Sequence, residues 1–188
     1  MAIRVLLPFL IAFSAAFSAY GAEVAGVTLP DTDQQLVLNG AGLRKRAFFQ
    51  VYAIGLYLPE KKTAAAEAIG AGGPKRVAIH MLRDVDAVQF SGALADGIRE
   101  NHSEAEAKAL EPRVKQLAAI MAEMKEAKKG MRITLDWVPA AGTQLTVEGK
   151  PAGSPIAGED FYRALLRIWL GDKPVQDDLK NALLGGKQ

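Results

Sequence analysis

A cluster of basic residues stands directly before an apolar, aromatic-rich segment. Arg44, Lys45 and Arg46 lead into residues 48–58, which include Tyr52. An arginine offers a planar fork of donors that can hold a carboxylate through two hydrogen bonds. A tyrosine can donate one more hydrogen bond from an otherwise apolar wall. The pattern could therefore hold the charged end of an amphipathic ligand. It also fits a solvated basic loop with Tyr52 in the core, and on spacing alone we favour that simpler interpretation.

Other kinds of chemical site have little support in the sequence. The chain has no cysteine and two histidines, His80 and His102, which lack the spacing of metal ligands. A dinucleotide-binding loop that began at Gly40 and Gly42 would need its third glycine where Lys45 stands, so a tight turn is the better interpretation. The formal net charge is only +2, which gives no indication of nucleic-acid binding. The sequence thus predicts no metal, no cofactor and no nucleic acid.

The N-terminal residues have the composition of a secretory signal peptide. A positive charge at Arg4 precedes an uncharged, mostly apolar stretch over residues 5–19, and small residues follow up to Gly21. We predict a signal peptide over residues 1–21, cleaved after Gly21, and one periplasmic or secreted domain over residues 22–188. Cleavage removes Arg4 and no other charged residue, so the net charge falls from +2 to +1. An uncleaved membrane anchor is the alternative. However, the apolar stretch is shorter than the roughly 20 residues that span a bilayer, so we expect no stable membrane span after cleavage.

The apolar pattern beyond the leader predicts strands and helices in separate groups. Alternation and β-branched residues predict strands, and apolar residues three or four apart predict helices. The predicted strands cover 24–29, 36–38, 48–58, 76–82, 131–138 and 144–148, and the predicted helices cover 63–69, 84–101, 103–129, 159–170 and 175–184. A turn is expected at Asn39–Gly42, and Pro112 is expected to kink or divide its helix. Because regular strand–helix alternation is missing, the pattern favours an α+β fold with an antiparallel sheet and helices on one face.

Three blocks of the sequence resemble the chalcone isomerase superfamily. The first is LNGAGLR followed by FFQVYAIGLYLPEKK, between Leu38 and Lys62. The second is FYRALLRIWLG over residues 161–171, and a weaker match covers Ile98–Asn101. The resemblance is greatest to the bacterial members that carry a signal peptide. It implies the chalcone isomerase-like open-faced β-sandwich, in which a large antiparallel sheet carries a layer of helices, and this agrees with the α+β pattern.

The resemblance extends unevenly to the residues that act in the isomerases. Arg44 matches the family's key arginine, and Asn101 matches the active-site asparagine of the enzymes. Tyr52 stands where the enzymes have threonine. Three further polar positions of the enzymes are occupied here by Leu94, Gly97 and Ile168. Ring closure of a chalcone needs an oriented phenolate and a stabilised enolate, and one arginine supplies little of either.

An arginine and a tyrosine at these positions are similar to the non-catalytic, fatty-acid-binding branch of the superfamily. In that branch the pair holds a carboxylate while an apolar cleft holds the tail. The leading hypothesis is therefore a non-catalytic periplasmic protein that binds a small amphipathic carboxylate, such as a fatty acid, through Arg44, Tyr52 and Asn101. One alternative is an isomerase (intramolecular lyase) acting on a chalcone- or flavanone-like substrate. Another is an interaction protein with a closed cleft. Export weighs against the isomerase, and the sequence indicates no particular protein partner.

Overall fold

The protein contains strands and helices in separate groups, within residues 21–186 and residue 188, which the computed structural model describes. The signal-peptide prediction lies outside these residues, apart from Gly21. The strands are β1 (Gly21–Val24), β2 (Val27–Pro30), β3 (Thr32–Asp33), β4 (Leu36–Arg46), β5 (Phe49–Leu58), β6 (Lys75–Met81), β7 (Val85–Asp86), β8 (Glu126–Ala127), β9 (Arg132–Val138), β10 (Gly142–Val147) and β11 (Lys150–Ile156). The helices are α1 (Ala65–Gly70), α2 (Ala87–Glu100), α3 (Glu104–Ala122), α4 (Glu159–Leu170) and α5 (Asp177–Leu183).

Most of the strands join in one antiparallel sheet. Its strand order is β11-β10-β9-β6-β5-β4-β3, and β1–β2 and β7–β8 form two small separate pairs. Asp33 on the edge strand β3 contacts Arg76 of β6 at 2.7 Å and Arg132 of β9 at 2.8 Å. These partners lie three and four strands away from β3 in the strand order, so the sheet must curl strongly. The α+β prediction is confirmed.

The helices cover one face of this sheet, and two of them, α2 and α3, begin with a side-chain cap. The side chain of Asp86 accepts hydrogen bonds from the backbone N–H groups of Val88 and Gln89 at the start of α2. Ser103 and Glu106 form a capping box at the start of α3. These contacts satisfy backbone donors that have no partner inside the helix. Beneath the helices, alternate residues of β5 such as Ile54 and Leu56 are buried in the main core.

The predicted turn at Asn39–Gly42 is wrong, because β4 runs through these residues without reversing. The register pairs Gly40 with Leu56 and Gly42 with Ile54, so both glycines face the helix layer. A Cβ atom at position 40 would lie 2.2 Å from the carbonyl oxygen of Ala182 at the end of α5. The glycines therefore do not form a tight turn. They allow α5 to approach the sheet closely.

Three other local expectations also differ from the structure. The single strand expected over residues 24–29 is a hairpin, β1–β2, which turns at Ala25 and Gly26 with positive φ angles. The segment Lys150–Ile156 is an additional strand, since the turn before it lies at Glu148 and Gly149. Pro112 does not divide α3. Its ring is exposed, so the carbonyl group that loses a partner can be solvated.

Candidate ligand-binding site

Arg44 and Tyr52 are neighbours across the β4–β5 ladder. The register pairs these two residues directly. Directly paired residues point to the same face of a sheet, and Tyr52 belongs to the core between the sheet and the helices. The side chain of Arg44 therefore projects from the helix-covered face of the sheet, next to the phenol of Tyr52. The structure brings together the two residues that the sequence singled out.

The phenol of Tyr52 is buried, with 5% of the residue exposed. Its hydroxyl oxygen accepts a hydrogen bond of 3.0 Å from the indole Nε1 of Trp169 on α4. Burial raises the pKa of Tyr52 above its usual value, and the hydrogen bond from Trp169 and the charge of Arg44 oppose that rise. The phenol is therefore neutral at physiological pH. Among the described residues no acceptor takes its proton, so the O–H remains able to donate to a bound group.

Arg44 is half-buried and is positioned by neutral groups. Its Nη1 donates to the carbonyl oxygen of Lys45 at 2.6 Å and to the side-chain oxygen of Gln176 at 3.3 Å. No carboxylate within the described part of the chain forms an ion pair with this guanidinium. Its remaining N–H groups are thus available to an anion.

Gln176 fixes this part of β4 from the side that lacks a neighbouring strand. Its Nε2 donates to the carbonyl oxygen of Leu43 at 3.0 Å, and its Oε1 accepts from the backbone N–H of Lys45 at 2.8 Å. Gln176 precedes α5 and makes no side-chain cap for that helix. The docking of α5 therefore holds both the strand end and the Arg44 side chain in place.

An open cleft of about 820 Å³ lies in front of the Arg44–Tyr52 pair. This volume falls in the range of roughly 300–1,000 Å³ that is typical of small-molecule sites. One wall is α2, and the opposite side is formed by the beginning of β5 and the segment that joins α4 to α5. The apolar lining includes Val51, Val85, Phe90, Leu94, Ile168 and Val175. The ring of Phe90 packs against that of Tyr52, with centroids 6.1 Å apart.

Charges of both signs lie around the cleft, but at different depths. Arg46, Asp96 and Glu100 also line it, and all three are exposed. Asp96 is paired with Arg99 at 2.7 Å on the surface of α2. The acidic groups are therefore hydrated at the rim, whereas Arg44 lies half-buried beside the phenol. An anion would be attracted to the inner end of the cleft.

The three positions where the resemblance implies polar side chains in the isomerases lie in the same cleft. Leu94, Gly97 and Ile168 all line it. A Cβ atom on Gly97 would come within 2.9 Å of the Ile168 side chain. These three residues form an apolar surface that cannot donate a side-chain hydrogen bond to a ligand.

Asn101 is not brought to this cleft. Its Nδ2 donates to the carbonyl oxygens of Gly97 at 2.9 Å and Lys173 at 2.8 Å, and its Oδ1 accepts from the N–H of Lys173 at 2.9 Å. The amide thus ties the end of α2 to the loop after α4. The structure therefore does not bring Asn101 together with Arg44 and Tyr52, and the ligand contact of Asn101 that the resemblance implies stays a prediction.

Sequence reasoning missed two residues that shape the site, Trp169 and Gln176. Trp169 lies in the helix predicted over residues 159–170, whose apolar pattern indicates burial alone. A buried indole usually needs an acceptor for its N–H, and this need indicates a partner on the sheet. For Gln176 there was no local signal, because its partners on β4 lie more than 130 positions earlier in the chain.

Within residues 21–186 and 188, no group of three or more histidine, aspartate or glutamate side chains is arranged to hold a metal ion. Nor does any helix in that part of the chain combine the length and apolar character that a membrane crossing requires.

Comparisons with known proteins agree with the observed fold. Residues 21–185 match a protein family described as chalcone isomerase-like. Among solved structures, the chain is similar to a fatty-acid binding protein of Arabidopsis thaliana, with a TM-score of 0.65 and 15% sequence identity, covering 85% of this chain and 92% of that chain. No sequence among the curated proteins matches it. Because the family match extends over most of its length, the chain belongs to the chalcone isomerase-like family.

Proposed function

We propose that this protein binds a small amphipathic carboxylate, such as a fatty acid, and does not transform it chemically. The observation that carries the proposal is the arrangement at the inner end of the cleft. Arg44 has no carboxylate partner within the described residues, and the neighbouring phenol of Tyr52 has a proton that it can donate. Burying a charge is unfavourable unless the charge is both hydrogen-bonded and paired with an opposite charge, and the hydrogen-bond partners of Arg44 are neutral. A bound carboxylate would supply that partner.

The cleft suits the two ends of such a ligand differently. At the inner end, the free N–H groups of Arg44 can hold both oxygens of a carboxylate, and Tyr52 can donate a further hydrogen bond. Along the cleft, Val51, Phe90 and Val175 offer apolar surface. An acyl tail gains about 0.8 kcal/mol for each CH₂ group that it buries. Charge recognition would thus fix the head, and burial of the tail would provide most of the affinity.

One structural comparison and two features of the cleft favour this proposal over its alternatives. A structurally similar protein from Arabidopsis thaliana is described as binding fatty acids. The cleft beside Arg44 is open, which argues against an interaction protein with a closed cleft. Leu94, Gly97 and Ile168 line the cleft without polar groups, which favours binding over ring closure of a chalcone.

The proposal is tested by identifying what the protein carries. Purification without detergent, followed by solvent extraction and mass spectrometry, is expected to yield long-chain carboxylates in amounts comparable to the protein. The same preparation should not accelerate the loss of chalcone absorbance beyond the spontaneous rate. Protein without extractable carboxylate that also fails to bind added fatty acid would contradict the proposal, and accelerated ring closure would support the isomerase instead.

Replacing Tyr52 with phenylalanine is expected to weaken fatty-acid binding by about tenfold, because one hydrogen bond to a charged group is lost. The measurement is a titration with a fluorescent fatty acid. Tyr162→Phe is the matched control, since Tyr162 is also buried and its hydroxyl donates to the carbonyl oxygen of Leu135 at 2.9 Å, outside the cleft. Equal losses of affinity in both variants would argue against a head-group contact by Tyr52.

We further propose that residues 1–21 are a signal peptide and that the mature domain works in the periplasm or outside the cell. Support comes from the charge at Arg4, the apolar stretch behind it and the small residues up to Gly21. Expression in a Gram-negative host and intact mass measurement of the periplasmic fraction test this proposal. The expected product begins at Ala22, and full-length protein confined to the cytoplasm would refute it.

A further inference from the structure

The turn between β4 and β5 presents two phenylalanines to solvent. Ala47 and Phe48 form the turn, and Phe48 is 101% exposed, as it would be in an unfolded chain. Phe49, the first residue of β5, is 58% exposed. Exposed aromatic side chains in adjacent positions, with no packing role for the first, are typical of a surface that meets another apolar phase. We call these two residues the aromatic tip.

Basic residues surround the aromatic tip. Lys45 and Arg46 precede it on β4, and the guanidinium carbon of Arg83 lies 4.4 Å from the centre of the Phe49 ring. Lys128 and Lys129 belong to the loop that runs beside the end of β6, where Gly130 donates to the carbonyl oxygen of Met81 at 2.8 Å. All five basic side chains, which we call the basic rim, are exposed: Lys45, Arg46, Arg83, Lys128 and Lys129.

Acidic groups at this edge offset the basic rim only in part. Asp84 accepts a hydrogen bond of 2.7 Å from the backbone N–H of Lys129, and Asp86 caps α2. Asp178 lies near Lys45 and accepts a hydrogen bond of 2.9 Å from the backbone N–H of Leu179. Their carboxylates are therefore turned toward backbone donors. The edge as a whole presents positive charge around an apolar tip, which is the combination that favours a membrane surface containing anionic lipids.

The aromatic tip lies next to the mouth of the cleft. Arg46 belongs both to the basic rim and to the cleft lining, and Val51, two residues beyond the tip on β5, also lines the cleft. Val88 in the first turn of α2 is 68% exposed, and its neighbours Val85 and Gln89 line the same cleft. A surface that held the tip would therefore lie at the opening through which a ligand enters.

We propose that the aromatic tip and the basic rim dock on the surface of a membrane containing anionic lipids. Phe48 enters the boundary between head groups and acyl chains, and the basic rim contacts the acidic head groups. Docking itself needs no ligand. Its use for ligand transfer rests on the proposed function, because it places the mouth of the cleft against a source of amphipathic carboxylates.

The test is flotation of the protein with vesicles of phosphatidylcholine, with and without phosphatidylglycerol. The protein is used as recovered from the expressing cells, and all variants share the same N-terminus. We expect binding to the phosphatidylglycerol vesicles, weakened by added salt. Phe48→Ser is expected to reduce partitioning by about tenfold, and Lys45→Gln by about fivefold. Both side chains are exposed and lie outside the cleft, so folding and ligand binding should be preserved.

Two matched controls remove similar groups from the opposite end of the sheet. Val138→Ser changes an exposed apolar residue at the end of β9, and Lys61→Gln changes an exposed basic residue just beyond β5. Neither should alter partitioning. Docking on lipid is overturned if the protein does not bind anionic vesicles, or if Phe48→Ser binds them as well as the unchanged protein does. A tip that contacts another protein instead of lipid would give one of these two results. Vesicle binding without any fatty-acid binding would refute the proposed function and leave docking intact.

Discussion

Replacing Gly40 with alanine is expected to lower the free energy of unfolding by about 3 kcal/mol. The added Cβ would lie 2.2 Å from the carbonyl oxygen of Ala182 and 2.6 Å from that of Leu183. Both contacts are with backbone, which cannot rotate away as a side chain can. Helix α5 must then move off β4 and weaken the 2.7 Å hydrogen bond from the Asn39 amide to the carbonyl oxygen of Leu183.

Urea denaturation followed by circular dichroism measures this change, and Gly92→Ala is the matched control. Gly92 lies inside α2, and nothing is within 4 Å of the position its Cβ would take. Alanine there should raise the free energy of unfolding by up to about 1 kcal/mol, because it is the better helix former. If Gly40→Ala unfolded at the same urea concentration as the unchanged protein, this result would contradict the close packing of α5 on β4.

The same substitution should disturb the ligand site, although Gly40 does not line the cleft. Gln176 stands directly before α5 and holds the Arg44 side chain and the backbone of Leu43 and Lys45. A displaced helix would carry Gln176 with it. Fatty-acid affinity is therefore expected to fall in Gly40→Ala even under conditions in which the variant is fully folded.

Replacing Arg44 with glutamine is expected to weaken fatty-acid binding by about a hundredfold. A carboxylate held by a guanidinium fork loses two charge-assisted hydrogen bonds, each worth about 1.5 kcal/mol or more. The loss should exceed that of Tyr52→Phe, because the arginine also supplies the only opposing charge at the inner end of the cleft within the described residues. Arg44→Lys should give an intermediate affinity, since it keeps the charge and loses the planar fork.

Isothermal titration with a long-chain fatty acid, and with the corresponding alcohol, separates the head-group contact from burial of the tail. The alcohol should bind the unchanged protein and Arg44→Gln about equally. Lys45→Gln removes the same charge one position further along the strand, from an exposed side chain, and should leave affinity for the acid unchanged. If Lys45→Gln were as damaging as Arg44→Gln, the effect would be one of general charge and not of a specific contact.

The elements best predicted from sequence were those with a strong periodic pattern. Strand β5 and helices α2 and α4 lie within a few residues of their expected ranges, because their apolar residues alternate or recur as burial on one face requires. The prediction failed at Asn39–Gly42, where glycine has two physical uses. It can adopt turn conformations, or it can let another backbone approach closely. The second use depends on α5, which is more than 130 residues away in sequence, so no local pattern could have distinguished the two.

The candidate site was predictable only in part. Arg44 and Tyr52 were singled out by residue type and by resemblance, and the strand register places them side by side. Asn101 matched the family pattern, yet its side-chain amide is bonded to the backbone of α2 at Gly97 and of the loop after α4 at Lys173. Gln176 carries no signature, because a glutamine that bonds to a strand edge looks the same in sequence as one in solvent.

The two edges of the large sheet affect how strongly this protein self-associates at high concentration. On one side β3 pairs only with Leu36 and Val37 of β4, and further along β4 the side chain of Gln176 occupies the backbone N–H of Lys45 and the carbonyl oxygen of Leu43. The strand at the other edge, β11, contains Pro151 and Pro155, which have no N–H to donate. Long, regular edge strands act as templates on which a second chain can add by backbone hydrogen bonding, and short or proline-containing edges resist this. Both edges of the sheet thus limit self-association into aggregates.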